Sequence, residues 1–218
     1  NCLSAQAEQF FVGGAADITS KSKLVVFNAG LSSSIVDVIT YSEGTSFKKS
    51  ITVGKNQSAT LTLVSLAPGA KAVAMQVIPR TGRVASYLVD ERGKGLQTLG
   101  GDIVNSQSEL SKVLLIPGIA HSKTNKSHLL RILNPGIAST VVTVEVLSKD
   151  GRYIPVGLDG RKVGAGKVAD IVFDFDSKQS SFGLRITSDQ PIAASAYSRT
   201  GKDFVWSSAV APNSTGTW

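Results

Sequence analysis

Apolar residues recur at every second position along most of the chain. In one clear example, Val142, Val144 and Val146 alternate with polar residues. This period of two is typical of strands that bury one face, and no window of about a dozen residues shows the 3.6-residue period of an amphipathic helix. The pattern predicts an all-β protein, with a single helical turn expected at 108–112.

Turn-forming residues interrupt the apolar pattern at regular intervals. Clusters such as Asn28-Ala29-Gly30 and Pro68-Gly69 recur about every ten to fifteen residues. Short strands at this spacing are typical of an antiparallel β-sandwich.

The chain contains an internal repeat. Residues 24–31 align with 130–137 at a constant offset of 106, and the alignment continues through the strand that follows. Further blocks match in the same order, with the offset changing only where loops are expected. A repeat of about 100 residues predicts two tandem immunoglobulin-like antiparallel β-sandwich domains that arose by duplication, residues 1–107 and 108–218.

An Asn-x-Gly sequence ends the first strong strand of each copy. It is formed by Asn28 and Gly30 in the first copy and by Asn134 and Gly136 in the second. Asn side chains hydrogen-bond to nearby backbone and Gly tolerates positive φ, so the pair favours a tight turn. We interpret these four residues as structural.

Composition and charge limit the classes of partner. The chain has 218 residues, of which 42% are hydrophobic, and a net charge of +7, so it can bury a core and attract polyanions. Residues 1–111 carry 10 basic and 8 acidic groups, whereas 112–218 carry 13 and 8. The second half is therefore the expected contact for a polyanion. No run of five or more basic residues occurs, which argues against nucleic acid as the partner.

The sequence provides neither a cysteine pair for a disulfide nor a long apolar run for a membrane-spanning helix. Cys2 is the single cysteine, so no disulfide forms within the chain. No apolar run approaches the roughly 18 residues that a membrane-spanning helix needs, so we expect no membrane span in this chain.

The histidines and serines give no catalytic or metal-binding pattern. His121 and His128 are seven residues apart in a polar stretch, which fits neither a strand-face nor a helix-face zinc spacing. We place both in surface loops. The chain has no Gly-x-Ser-x-Gly sequence. We therefore predict no catalytic, metal-binding or cofactor-binding residues and no enzyme activity.

Paired carboxylates offer the remaining catalytic alternative. Asp174 and Asp176 share one strand face, opposite Phe173 and Phe175, and are expected to face solvent or to form a weak cation site with Asp170. An exposed face does not raise the pKa of an acid. A hydrolase would instead need two acids with a raised pKa in a cleft, most plausibly at the junction of the domains.

The densest group of aromatic and basic residues lies in the last hairpin of the second copy. It contains Tyr197, Arg199, Lys202, Phe204 and Trp206, and the matched hairpin of the first copy has no Trp. One interpretation is a ligand-contact surface formed by Tyr197, Arg199, Lys202 and Trp206. The other is a buried Trp that closes the sandwich.

Three segments resemble a known family. They are EQFFVGG at 8–14, LRILNPG at 130–136 with its variant LVVFNAG at 24–30, and GKDFVW at 201–206. They are similar to a family of secreted or membrane-attached actinobacterial proteins of unknown function, whose domain also forms the C-terminal part of large envelope proteins related to glycosyltransferases. The resemblance implies an extracytoplasmic location and a role in the cell envelope, and it supplies no catalytic residue.

These observations favour a non-catalytic, extracytoplasmic spacer and interaction module that binds an envelope polysaccharide or protein. The first alternative is a carbohydrate-binding module, which predicts that Tyr197 and Trp206 are exposed on one ledge. The second alternative is the carboxylate-pair hydrolase at the domain junction.

Overall fold

The first half of the chain folds into two four-stranded antiparallel sheets. The computed structural model describes residues 5–122, 124, 126–201 and 203–212. One sheet has the order β1-β6-β3-β4 and the other β5-β2-β7-β8. The strands are β1 (Gln9–Val12), β2 (Lys23–Asn28), β3 (Ser34–Ser42), β4 (Ser46–Val53), β5 (Gln57–Thr62), β6 (Val73–Pro79), β7 (Ala85–Lys94) and β8 (Gln97–Val104).

The second half repeats this arrangement with one long strand shared between its sheets. Its strands are β9 (Ser111–Ala120), β10 (Ser127–Asn134), β11 (Thr140–Ser148), β12 (Gly151–Tyr153), β13 (Arg161–Val163), β14 (Lys167–Asp174), β15 (Ser181–Thr200) and β16 (Asp203–Ser208). The first part of β15 pairs with β9 and β11, and the last part pairs with β10 and β16. The two short strands β12 and β13 both pair with β11.

The strand orders of the two halves correspond. In the second half the orders are β9-β15-β11 followed by β12 and β13, and β14-β10-β15-β16, which match the two sheets of the first half strand for strand. The predicted all-β class is confirmed. An origin by duplication stays an inference, which the matching orders support, and the immunoglobulin-like assignment stays a prediction.

The helical turn predicted at 108–112 is wrong. Strand β9 already begins at Ser111, and the described helix, α1 (Leu63–Leu66), lies in the first half. Leu63 and Leu66 are both buried there, so packing of these two side chains, and not a periodic pattern, accounts for the turn. Within the described residues, no helix is long and apolar enough to cross a membrane.

Each half has a core between its sheets, and buried side chains also join the two halves. The core of the first half includes Phe204 and Trp206, which belong to β16 of the second half. A further apolar cluster combines residues of both halves: Phe10, Val12, Tyr41, Ala72, Ala74, Leu133, Val168 and Ala193. The halves therefore share buried apolar surface.

The polar segment between the halves is also fixed. Gln107 is buried, and its backbone exchanges two hydrogen bonds of 2.8 Å with Phe10. Its side-chain amide donates to the carbonyl oxygen of Ala194 at 2.9 Å. Gln107 thus connects the first strand to the second half, so the chain segment at the predicted 107/108 boundary is a structural contact of both halves.

Candidate functional site

The Asn-x-Gly turn of the first half is held by side-chain hydrogen bonds. The buried Asn28 amide donates to the carbonyl oxygens of Ser32 at 2.8 Å and Val53 at 3.0 Å. The backbone N–H of Gly30 donates to Asn28 Oδ1 at 2.8 Å. One side chain therefore connects the turn to the end of β4.

The second half builds the same turn with the same bonds. The Asn134 amide donates to Ala138 at 2.8 Å and Gly164 at 3.1 Å, and the N–H of Gly136 donates to Asn134 Oδ1 at 3.1 Å. Neither turn glycine has a positive φ. The reason for glycine is close approach instead, since a Cβ on Gly30 would lie 2.8 Å from the Asn28 Oδ1 atom.

The aromatic hairpin does not form an exposed ledge. Trp206 is 4% exposed and belongs to the core of the first half, so the ledge required by the carbohydrate-binding alternative is wrong, and burial supports the closing role. Tyr197 is half-buried, with ring centroids 5.1 Å from Phe204 and 5.2 Å from Trp206. Arg199 is exposed, and Lys202 lies outside the described residues.

A buried carboxylate receives the Trp206 indole. Asp90 is fully buried, and its Oδ2 accepts a hydrogen bond from Trp206 Nε1 at 2.9 Å. Ser22 Oγ donates to Oδ1 at 2.6 Å, and Arg92 donates to both oxygens at 2.8 and 2.9 Å. These donors compensate the loss of water around the carboxylate.

A buried arginine of the second half reaches into the first. The side chain of Arg131 is 3% exposed and forms two bonds with Asp170, of 2.7 and 2.8 Å. It also donates to the carbonyl oxygens of Gly14 and Val73. The guanidinium carbon lies 5.0 Å from the centroid of the Trp206 ring, a cation–π distance. Arg131 therefore cross-links the halves through its hydrogen bonds to backbone carbonyl oxygens of the first half.

A pocket of about 350 Å³ lies above this cross-link, and we call it the junction pocket. Residues of both halves line it, and they include Tyr197, Arg199 and Trp206 of the predicted ligand-contact set. The first half supplies Asp17, Thr19, Lys71, Arg92 and Leu99, and the second half supplies Leu129, Arg131, Asp170, Tyr197, Arg199 and Trp206. The lining thus combines four cations, two carboxylates and an apolar wall.

Sequence reasoning identified none of the first-half residues of this pocket and also missed Arg131. The repeat contained a signal for Arg131, because it stands opposite Val25 in an otherwise apolar strand. A charged residue that replaces an apolar one in a single copy indicates a contact that only that copy makes. Lys71 and Asp17 lie in loops and gave no comparable signal.

The acids of the junction pocket differ from a hydrolase pair. Both oxygens of Asp170 are bound by Arg131. Burial acts to raise the pKa of Asp17, but hydrogen bonds from Thr19 and Ser20 outweigh it and leave that pKa below its usual value. A general acid requires the opposite shift, so this geometry does not favour the hydrolase alternative.

Asp174 and Asp176 face solvent as predicted from their spacing, although β14 ends at Asp174 and Asp176 lies beyond it. Asp174 and Asp176 are exposed, and Phe173 and Phe175 are buried on the opposite face. Asp176 pairs with Lys126 at 2.9 Å, and this pairing lowers the pKa of Asp176. Among the described residues, no group of three His, Cys, Asp or Glu side chains is placed to hold a metal ion.

The placement of the histidines in surface loops is wrong. His121 and His128 are buried at 7% and 2% exposure, and His121 Nδ1 lies 3.1 Å from His128 Nε2. They pack among the rings of Phe175 and Phe182. Burial, followed by the neighbouring His121, lowers the pKa of His128 to about 4. The aromatic cluster, distant in sequence from both histidines, is what covers them.

Comparison with known proteins identifies the family. Residues 1–217 match the family model described as a family of unknown function, DUF5719, so the chain belongs to this family. No curated protein matches the chain. A solved structure from Thermotoga maritima, "Crystal Structure of Thermotoga maritima 1070", is similar at 15% identity and a TM-score of 0.42, over 49% of this chain and 98% of that one.

Proposed function

We propose that this member of DUF5719 is a non-catalytic spacer and interaction module that works outside the cytoplasm, in the cell envelope. The buried junction carries the proposal. Trp206, Arg131 and Gln107 each place polar or aromatic groups in the opposite half, and apolar residues of both halves share a cluster. Domains move relative to each other unless their interface is large and hydrophobic, so this junction suits a spacer of fixed geometry.

The interaction part of the proposal rests on charge. The net charge is +7, with the larger excess in residues 112–218, and four basic side chains line the junction pocket. A positive field draws in anionic partners and raises the rate of encounter. The partner we propose is therefore an envelope polysaccharide or protein that carries negative charge.

The location outside the cytoplasm rests on the resemblance of 8–14, 130–136 and 201–206 to secreted and membrane-attached proteins. Protease treatment of intact cells that produce the natural full-length protein tests it. External protease should degrade the protein while a cytoplasmic marker survives. Degradation only after lysis would refute this part of the proposal.

Distance measurements between two spin labels test the spacer. In a Cys2→Ser background, Lys55→Cys and Lys178→Cys place one label on an exposed site in each half. A fixed junction should give one narrow distance distribution. The pair Lys55→Cys and Gly44→Cys, both within the first half, supplies the reference width. A distribution much broader than this reference would contradict the spacer.

A further inference from the structure

We propose that the junction pocket binds a single acidic sugar unit, a pyranose ring that carries a carboxylate or a phosphate ester. The inference rests on the proposed function, because it names the part of an anionic envelope polymer that the module would hold. Three properties of the lining support it: its spare positive charge, its hydroxyl-binding groups and its apolar wall.

Part of the positive charge in the pocket is not paired with an acid. Arg131 is paired with Asp170, and Arg92 is paired with the buried Asp90. Lys71 is exposed and makes no ion pair with any residue in the described ranges. Arg199 belongs to the same lining. An oxyanion placed beside Lys71 would gain a charge-assisted hydrogen bond from its ammonium group.

Hydroxyl-binding groups lie beside these cations. Oδ1 of Asp17 accepts hydrogen bonds from Thr19 and Ser20, which fixes the loop and leaves Oδ2 without a partner in the described part of the chain. Those same bonds lower the pKa of Asp17, so the carboxylate stays ionised and accepts hydrogen bonds. The Tyr197 hydroxyl likewise makes no hydrogen bond with the described residues. Burial raises its pKa, so it remains a neutral donor.

The apolar wall suits the face of a ring. Tyr197 is held in place by Phe204 and Trp206, and Leu99 and Leu129 extend the wall. The volume, about 350 Å³, is near the lower end of the roughly 300–1,000 Å³ of small-molecule sites. A single sugar unit therefore matches the size, and an aromatic ring beside polar groups matches the chemistry.

Calorimetric titration of the full chain tests the proposal with three sugars. Glucuronate carries a carboxylate, glucose 1-phosphate carries a phosphate ester, and glucose carries neither. We expect at least one charged sugar to bind at millimolar concentration or below, and glucose to bind at least tenfold more weakly. The stronger of the two charged sugars identifies the anion. Binding of glucose at equal strength, or no binding of either charged sugar, would overturn the proposal.

Variants locate the binding in the pocket. Lys71→Glu should weaken binding of the charged sugar at least tenfold. The thermal midpoint of the protein should not change, because Lys71 is exposed. Lys162→Glu, a charge reversal at another exposed lysine, on β13, is the matched control and should bind the sugar as the parent does. An equal loss of sugar affinity in both variants would show that the effect comes from net charge alone and would refute the site. Inorganic phosphate that binds as tightly as glucose 1-phosphate would refute the role of the ring.

The result of the sugar titration can be distinguished from the results that test the proposed function. The spin-label widths and the protease accessibility do not depend on any ligand, so a failed titration leaves both unchanged. Broad label distances together with specific sugar binding would instead refute the spacer and keep the site.

Discussion

Individual polar residues determine how the two halves are joined. Asp90 and Arg131 are charged side chains in largely apolar surroundings, and each has donors or acceptors for its charge. A buried ion pair of this kind adds little net stability, but removal of one partner is costly because the other charge stays buried. Substitution of any single one of these junction residues is therefore expected to lower the stability of the protein.

Trp206→Ala should destabilise the first half as well as the second. The substitution leaves a cavity in the first-half core and removes the indole donor to Asp90. We expect a loss of about 3–5 kcal/mol in the free energy of unfolding, measured by urea titration. Val205→Ala, at the exposed neighbouring position in β16, is the control and should cost less than about 1 kcal/mol.

The two turn asparagines should be equally important. Asn28→Ala and Asn134→Ala each remove an amide that donates to carbonyls at two places in the turn and the adjacent strand. We expect each to lower the free energy of unfolding by about 1–3 kcal/mol. Asn105→Ala, at an exposed site, should be near neutral. A neutral Asn134→Ala would show that the shared hydrogen bonds do not stabilise the turn.

The buried histidine pair predicts loss of stability in mild acid. His128 has a pKa of about 4 in the folded chain, against 6.5 for an ordinary His, so between these values the unfolded chain binds more protons. Stability is therefore full above about pH 6.5 and falls as the pH drops toward 4, by about 3 kcal/mol at 1.4 kcal/mol per pKa unit. Asp174 acts in the opposite direction and raises this pKa.

Urea unfolding at several pH values between 7.5 and 4.5 measures the effect. The variant His128→Phe removes the titrating group while it keeps a ring among Phe173 and Phe182. The difference between parent and variant isolates His128 from the carboxylates, which both proteins share. A difference that does not change with pH would contradict the prediction.

At the scale of elements, the sequence predicted the strands and turns that depend on local residue patterns. The period of two identified strands such as β11, and the repeat alignment anticipated the equal turns at Asn28 and Asn134. The helix α1 and the burial of His128 could not be predicted, because each depends on side chains that arrive from other strands. For the same reason, the junction pocket could be predicted only in part. Tyr197 lies in the aromatic hairpin that the sequence analysis identified, whereas Lys71 lies in a loop without a distinctive sequence pattern.

The crossing point of β15 should tolerate an insertion. The strand changes sheets at a register shift between Thr187 and Ile192, where the first half has a separate connection at 80–84 between β6 and β7. One Gly inserted after Asp189 should cost less than about 1 kcal/mol, since loop length has a small entropic effect. A Gly inserted after the buried Ala194 should unfold the second half, because it shifts the register with β10. Thermal midpoints of both variants give the comparison.

At the scale of the whole molecule, the account requires the halves to behave as one body. The first-half core is completed by β16, and a shared apolar cluster and a buried arginine fill the junction. The first half therefore loses part of its core when the second half unfolds, and the unfolding of either half disrupts the shared cluster. The spacer function depends on this coupling.

Scanning calorimetry of the complete chain measures that coupling most directly. We expect a single heat-absorption peak whose calorimetric enthalpy equals the van't Hoff enthalpy, the signature of one cooperative unit. Two separated peaks, or a calorimetric enthalpy near twice the van't Hoff value, would show that the halves unfold independently and would contradict the account.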